Sequence, residues 1–184
     1  MRVPEHGRYP PPVTTVDLRT LRLRPGEVRG ETLDVELEPF VLGGQRYEAS
    51  PGTMPVELDI AQASGAMVFD MRLAVHLSGV CMRCLGFAEL DSTVSAREFH
   101  DLDAPVADEL HSDYVVRDHL QLTTWARDAV ALELPDQILC RPDCAGLCPV
   151  CGKDLNVEPH EHLERDPDPR WAALEGFLQD QDVR

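Results

Sequence analysis

The sequence predicts an α+β fold: a mostly antiparallel β-sheet or partial barrel, one main packed helix, and a cysteine-rich module at the C-terminal end. Three observations carry this. Several segments between residues 33 and 99 alternate apolar and polar residues, the period of a half-buried strand. One stretch ahead of the cysteine cluster, 123–134, has the apolar spacing of a helix. Four of the six cysteines then fall within twelve residues, in "CRPDCAGLCPVC" from Cys140 to Cys151.

Taken in order, residues 1–15 are Pro-rich and polar and read as a flexible tail. A mostly β domain is expected over 16–139. "VDLRTLRLRPGEV" leads to a turn at Pro25-Gly26, and "LDVELEPFVL" (33–42) reads as one strand broken by Gly43-Gly44. "MPVELDIAQ" (54–62) alternates again up to Gly65. "AMVFDMRLAVHLSG" (66–79) is a longer strand with Val68, Met71, Leu73, Val75 and Leu77 as candidates for burial. "GFAELDSTVSAREF" (86–99) follows the tight turn "CMRC", which makes a hairpin of the pair. An acidic loop over 100–113 and a strand in "DYVVRDHLQL" precede the helix.

The helix "TTWARDAVALEL" can be capped by Thr123 or Thr124, and Trp125, Ala129, Val130 and Leu132 or Leu134 share a face. Pro135 ends it. Residues 140–184 form the cysteine- and histidine-rich module. A short closing helix is expected in "DPRWAALEGFL", with Asp168 at the N-cap and Pro169 at the first helical position.

Composition narrows the function classes. A hydrophobic content of 43% supports a packed core. No apolar run has transmembrane length and the N-terminus lacks the apolar segment of a secretory signal, so a cytoplasmic protein is expected. In a reducing cytosol six cysteines point to metal before disulfides. The net charge is −16, with 10 basic and 14 acidic residues over 1–100 but 7 and 19 over 101–184. Affinity for nucleic acid rests largely on neutralising phosphates, so this balance favours a basic protein partner over a broad grip on RNA. Only the first thirty residues are locally positive.

The cysteines come as close pairs, as a tetrahedral metal site requires, because a tight turn aims two sulfurs at one point. Cys81-x-x-Cys84 sits at the hairpin tip, and Cys148-Pro149-Val150-Cys151-Gly152 has a stiffening proline and a permissive glycine. Cys140 and Cys144 are the third pair. One arrangement joins Cys140, Cys144, Cys148 and Cys151, but only three residues separate the two pairs, which leaves little room to fold back. The preferred arrangement pairs Cys140 and Cys144 with Cys81 and Cys84, and gives Cys148 and Cys151 the ligands His160 and His162. His160 and His162 could equally line a solvated acidic loop. Zinc, two ions in structural sites, is the expected cofactor. A thioredoxin-like role for Cys81 and Cys84 is disfavoured, since that motif opens a helix and strand-like segments flank this one. His76, within a strand, reads as a satisfied structural residue.

No catalytic signature is present: no HExxH, no H-x-E with P-C-x-x-C downstream, no G-x-S-x-G, P-loop or dinucleotide fingerprint. Eight ligands for two ions leave no open coordination position, so no catalytic residues are expected.

The combination of motifs resembles the YceD-like family, the large ribosomal RNA subunit accumulation proteins. The resemblance rests on "CMRCL" (Cys81, Arg83, Cys84, Leu85) after a long strand and "LELP" (Leu134, Pro135) at the helix end. It continues through Cys140, Cys144, Gly146, Leu147, Cys148, Cys151, Gly152, Leu155 and Asn156, then Asp168, Pro169 and Arg170. Where many relatives have C-x-C after "LN", this chain has His160-Glu161-His162. Some relatives lack the tail cysteines, which implies that the Cys81/Cys84 site is the older one. The resemblance implies a non-catalytic ribosome biogenesis factor supporting synthesis, processing or stability of large-subunit (23S) ribosomal RNA. A basic large-subunit ribosomal protein or pre-ribosomal particle is the implied partner, with possible contact to ribosomal RNA. The alternatives are a zinc-dependent RNA-processing enzyme and a zinc-ribbon adaptor in transcription.

Overall fold

The structure, a computed structural model, describes residues 13–63, 65–103 and 110–162. The chain divides into two compact units, Met1–Cys144 and Ala145–Arg184. Cys140 and Cys144 thus fall in the first unit.

The first unit is built on β6 (Ala66–Val80). One edge of β6 pairs along its whole length with β7 (Phe87–Asp101), from Ala66↔Asp101 to Val80↔Phe87 without a bulge. Its other edge is shared. The hairpin partner β5 (Thr53–Ala63) takes the first half, Val56↔Leu73 to Ala63↔Ala66, and β4 (Gln45–Ala49) takes Leu77 and Ser78. β2 (Val28–Glu36) pairs outside β5, and β3 (Phe40–Leu42) outside β4. A separate three-stranded sheet joins β1 (Thr15–Asp17), β9 (His119–Gln121) and β8 (Val115–Val116).

Alternation decides which face is buried. Met54, Val56, Leu58 and Ile60 of β5 and Phe69, Met71, Leu73, Val75 and Leu77 of β6 point to one side and are buried. Each such side chain contributes roughly 1.5–3 kcal/mol. Val68 was expected among them but is half-buried on the other side, with Phe69 in its place. Phe69 is in phase with Met71 and Leu73; Val68 is not.

The helix α1 (Leu122–Glu133) lies on the buried face through Leu122, Trp125, Ala126, Ala129 and Val130. Leu132 is not part of that face: it is 87% exposed. The expected threonine cap is also replaced. Gln121 stands at the N-cap without a side-chain bond. Instead the Thr123 amide donates to the Thr14 carbonyl (3.3 Å) and the Thr14 amide to Thr123 Oγ1 (2.9 Å), so the residue just ahead of β1 satisfies the helix start. Leu134 is extended, as a residue before proline must be, and the helix stops at Glu133.

The run 33–42 is two strands, because Leu37–Pro39 turn the chain between β2 and β3; Arg127 of α1 holds that turn by donating to the Glu38 carbonyl at 2.6 Å. Its guanidinium also lies over the Phe40 ring, 4.7 Å from the centroid. The closing helix expected in "DPRWAALEGFL" lies outside the described residues. Among the described residues no helix is long and apolar enough to cross a membrane.

Candidate metal centres

The first centre grows from the β6–β7 hairpin. Tyr47 is fully buried with its hydroxyl donating to the Val80 carbonyl (2.7 Å), and it packs where a side chain at Gly79 would stand. A Cβ on Gly79 would come within 2.5 Å of the tyrosine ring, so glycine is required at the base of the tip. Burial, and then the charge at Cys81, push the Tyr47 phenol up.

Beyond Val80 the chain forms a tight knuckle. The Cys81 amide donates to the Gly86 carbonyl (2.7 Å), and the Leu85 amide returns to the Cys81 carbonyl (3.0 Å). The Arg83 amide points at Cys81 Sγ (3.5 Å). Leu85 closes the turn at φ +62°, a left-handed conformation unusual for a leucine. The segment after α1 is fastened to this knuckle. Met82 donates its amide to the Ile138 carbonyl (3.0 Å), and the Arg83 guanidinium donates to the Cys144 carbonyl (3.1 Å) and to Gln137 Oε1 (3.3 Å). Ile138 anchors the same segment in the core.

Four sulfurs meet as a result. Cys81 and Cys144 are 3.8 Å apart and Cys84 and Cys140 3.6 Å, all free thiols. Around one zinc with bonds of about 2.3 Å, the edge of a sulfur tetrahedron is about 3.8 Å, whereas a disulfide is about 2.05 Å. The spacing is that of a metal site. The charge pattern agrees: burial raises the Cys81 thiol, but amides of Cys84, Cys140 and Arg83 outweigh it and bring it down to about 6. Cys140, hydrogen-bonded to Cys84 and then disfavoured by burial, is pushed up to about 12. Without a cation the cluster favours one thiolate and resists the next; a divalent cation would let all four ionise.

The second centre repeats the knuckle in the second unit. The Cys148 amide donates to the Lys153 carbonyl (2.8 Å), the Gly152 amide to the Cys148 carbonyl (2.8 Å), and the Val150 amide points at Cys148 Sγ (3.4 Å). Amides of Cys151 lead the effects that bring Cys148 down to about 6, ahead of the opposing effect of burial. Leu147 bridges to Asp154, the Leu155 amide donates to the Gly146 carbonyl (2.9 Å), and Asn156 Oδ1 accepts from the Ala145 amide (2.8 Å). These bonds bring the chain back along the knuckle to His160. Its Nε2 lies 3.1 Å from Cys151 Sγ, while Nδ1 lies 2.7 Å from the Glu158 carbonyl. A proton held on Nδ1 by that carbonyl leaves the Nε2 lone pair for a metal. The carbonyl, then Cys148, raise the His160 pKa. His162 stacks edge-on against His160 with centroids 4.9 Å apart.

Each set of four, Cys81, Cys84, Cys140 and Cys144 and again Cys148, Cys151, His160 and His162, has its ligand atoms within 4.8 Å of one another. Both donor sets fit a tetrahedral metal of zinc's type. The second is less regular, since its 3.1 Å sulfur–nitrogen edge is shorter than the ~3.6 Å of an ideal mixed site. The sequence had no signal for the Leu85 conformation or for the Tyr47–Gly79 support; the Glu158 carbonyl behind His160 is likewise a backbone feature.

The profile of the family described as Large ribosomal RNA subunit accumulation protein YceD matches residues 69–178, which include both ligand sets. This chain belongs to the YceD family. Similar proteins include "Uncharacterized protein Rv2926c" of Mycobacterium tuberculosis, 34% identical over 170 residues, 89% of this chain and 81% of the relative. "Uncharacterized protein YlbN" of Bacillus subtilis is 31% identical over 118 residues, 62% of this chain and 67% of the relative. No solved structure matches this YceD-family chain. The match begins within β6 and takes in the hairpin, α1 and both knuckles, while β1 to β5 precede it.

Proposed function

We propose that this YceD-family protein is a non-catalytic ribosome biogenesis factor that supports the synthesis, processing or stability of large-subunit (23S) ribosomal RNA. The observation that carries the reading is a pair of complete four-ligand sets in a member of a family described by accumulation of that RNA. Filled by zinc, each set would leave no coordination position for water or substrate, which is the pattern of a structural site. The first would clamp the β6–β7 tip to the segment that follows α1, and the second would hold together a small unit whose described residues, 145–162, bury few apolar side chains.

The partner in this reading is a basic large-subunit ribosomal protein, alone or on a pre-ribosomal particle. A chain of net charge −16 suits a cationic protein surface better than phosphates. The test is affinity purification of the tagged protein from cells at two salt concentrations, with protein and RNA both identified. Large-subunit ribosomal proteins recovered at low salt and lost at high salt, with large-subunit RNA falling when the protein is depleted, is the expected result. Recovery of transcription proteins without large-subunit components, or an unchanged ratio of the two ribosomal RNAs on depletion, would overturn the reading.

A further inference from the structure

β7 forms an edge of the main sheet. Its inner side pairs residue for residue with β6, and among the described residues no backbone hydrogen bond is made by the outer side between Phe87 and His100. The strand runs for 15 residues with unbroken register. Proteins usually blunt such an edge with brevity, proline, lysine or a bulge, because its free N–H and C=O groups template another strand. β7 has none of these.

Carboxylates stand guard instead. On the uncovered face of the sheet β7 carries Glu89 and Asp91, with side chains 53% and 86% exposed. Asp70 lies on the neighbouring β6, and Asp59 on β5 faces it. Two of the cations on this face are paired, Arg97 of β7 with Asp70 (2.6 Å) and His76 of β6 with Asp91 (2.7 Å) and Glu89 (3.5 Å). Arg72 of β6 stands opposite Glu57 of β5; with Asp59 on the same face, carboxylates still outnumber the cations. At the strand's two ends Phe87 and Phe99 are 67% and 42% exposed. Like charges on opposed strands repel, so this edge rejects a second copy of itself and any acidic strand. The same charges favour a cationic one, for which main-chain bonds supply affinity and alternate side chains supply selectivity.

We propose that the outer edge of β7 is a docking site for an extended Lys/Arg-rich segment of a protein partner, which adds to the sheet as a further strand beside Phe87–Phe99. The proposal rests on the basic-partner reading above and gives that partner a place and a conformation.

The test uses the zinc-loaded full chain and a labelled dodecapeptide of three Lys-Val-Arg-Thr repeats. A second peptide is methylated on two adjacent backbone nitrogens per repeat, which removes pairing from both its edges but keeps its charge. A third carries glutamate for Lys and Arg. The basic peptide is expected to bind and to slow amide exchange over residues 87–99 at least tenfold. The methylated peptide should bind at least tenfold more weakly and the acidic one not at all. E89K/D91K should weaken the basic peptide at least fivefold, with circular dichroism confirming that the sheet is retained. Equal binding of the methylated peptide, or protection confined to other residues, overturns strand addition at β7 and leaves the basic-partner reading standing. An intact Lys/Arg-rich protein that binds with β7 unprotected overturns the edge assignment alone. Absence of binding by both peptide and protein overturns both.

Discussion

Leu85 and Gly152 occupy the same place in two copies of one turn. Each follows the second cysteine of its pair, each donates its amide to the carbonyl four residues back, and each has positive φ, +62° and +73°. The second copy uses the residue that tolerates this conformation; the first uses a leucine that is also 56% exposed.

The pair predicts opposite responses to substitution. Leu85→Gly removes a left-handed β-carbon clash at the expense of a more flexible unfolded chain, and should change stability by less than about 1 kcal/mol, in the favourable direction. Gly152→Ala meets no neighbouring atom but must adopt that φ, and should cost the second knuckle about 1 kcal/mol. Chemical denaturation of the zinc-loaded proteins checks both signs; a clear loss in Leu85→Gly would show that the leucine side chain stabilises the fold.

Cys84→Ser should damage the whole first unit, because Cys84 and Cys140 join segments 56 residues apart. A fall in the thermal midpoint of about 10 °C is expected, from a loss near 3 kcal/mol. His162→Ala should leave that transition in place, since its set spans only Cys148 to His162 of the second unit. Equal losses in calorimetry would refute the division of ligands into two sets.

Chelator should take the two metals at different rates. In the first set Cys81 and Cys144 are buried, whereas in the second Cys151 and His162 are exposed. One equivalent released rapidly and one slowly to a chromogenic chelator is the expected course, and H162A should abolish the rapid phase alone.

His100, at the end of β7, makes acid unfolding sensitive to one buried imidazole. It is 6% exposed, its Nδ1 has no hydrogen-bond partner among the described residues, and His111 packs edge-on at 4.6 Å. Burial, then His111, lower its pKa against weaker opposing effects of Asp101 and Asp118. The unfolded imidazole therefore takes its proton first as pH falls through about 6.5, and stability is lost from there downward. His76 has the opposite sign: Asp91 raises its pKa, so its contribution grows as pH falls through the raised value and is fully present below about 6.5. His100→Phe should flatten the fall in stability between about pH 7 and pH 5.5. An unchanged slope would assign it to other groups.

Much of this was legible because period and spacing are local signals. The β6–β7 hairpin shows as two alternating runs around Cys81–Cys84, and α1 as a 3.6-residue pattern ended by Pro135. The two ligand sets follow from spacing, since Cys140 and Cys144 are too close to Cys148 for an easy fold-back. What escaped depends on contacts distant in sequence. β1 and β4 are at most five residues long and acquire strand geometry only from partners such as Leu120 for Val16. The one strand expected in "DYVVRDHLQL" is two, β8 and β9, because Arg117 and Asp118 turn the chain at positive φ. Val68 and Phe69 are adjacent apolar residues, and only the phase of Met71 and Leu73 says which is inside. The helix start went to Thr14, just ahead of β1, because its carbonyl lies there before any side-chain cap is needed. Total charge drew attention to residues 101–184, while the acidic edge lies on β7, where the signal is register and not composition.

Native mass spectrometry of protein purified without a metal-binding tag tests the central claim most directly, namely that the eight residues form two separate metal sites. The account predicts two zinc ions in the wild-type chain, one in H160A/H162A and one in C81S/C84S. A wild-type chain with no metal would contradict it, as would loss of both ions in H160A/H162A.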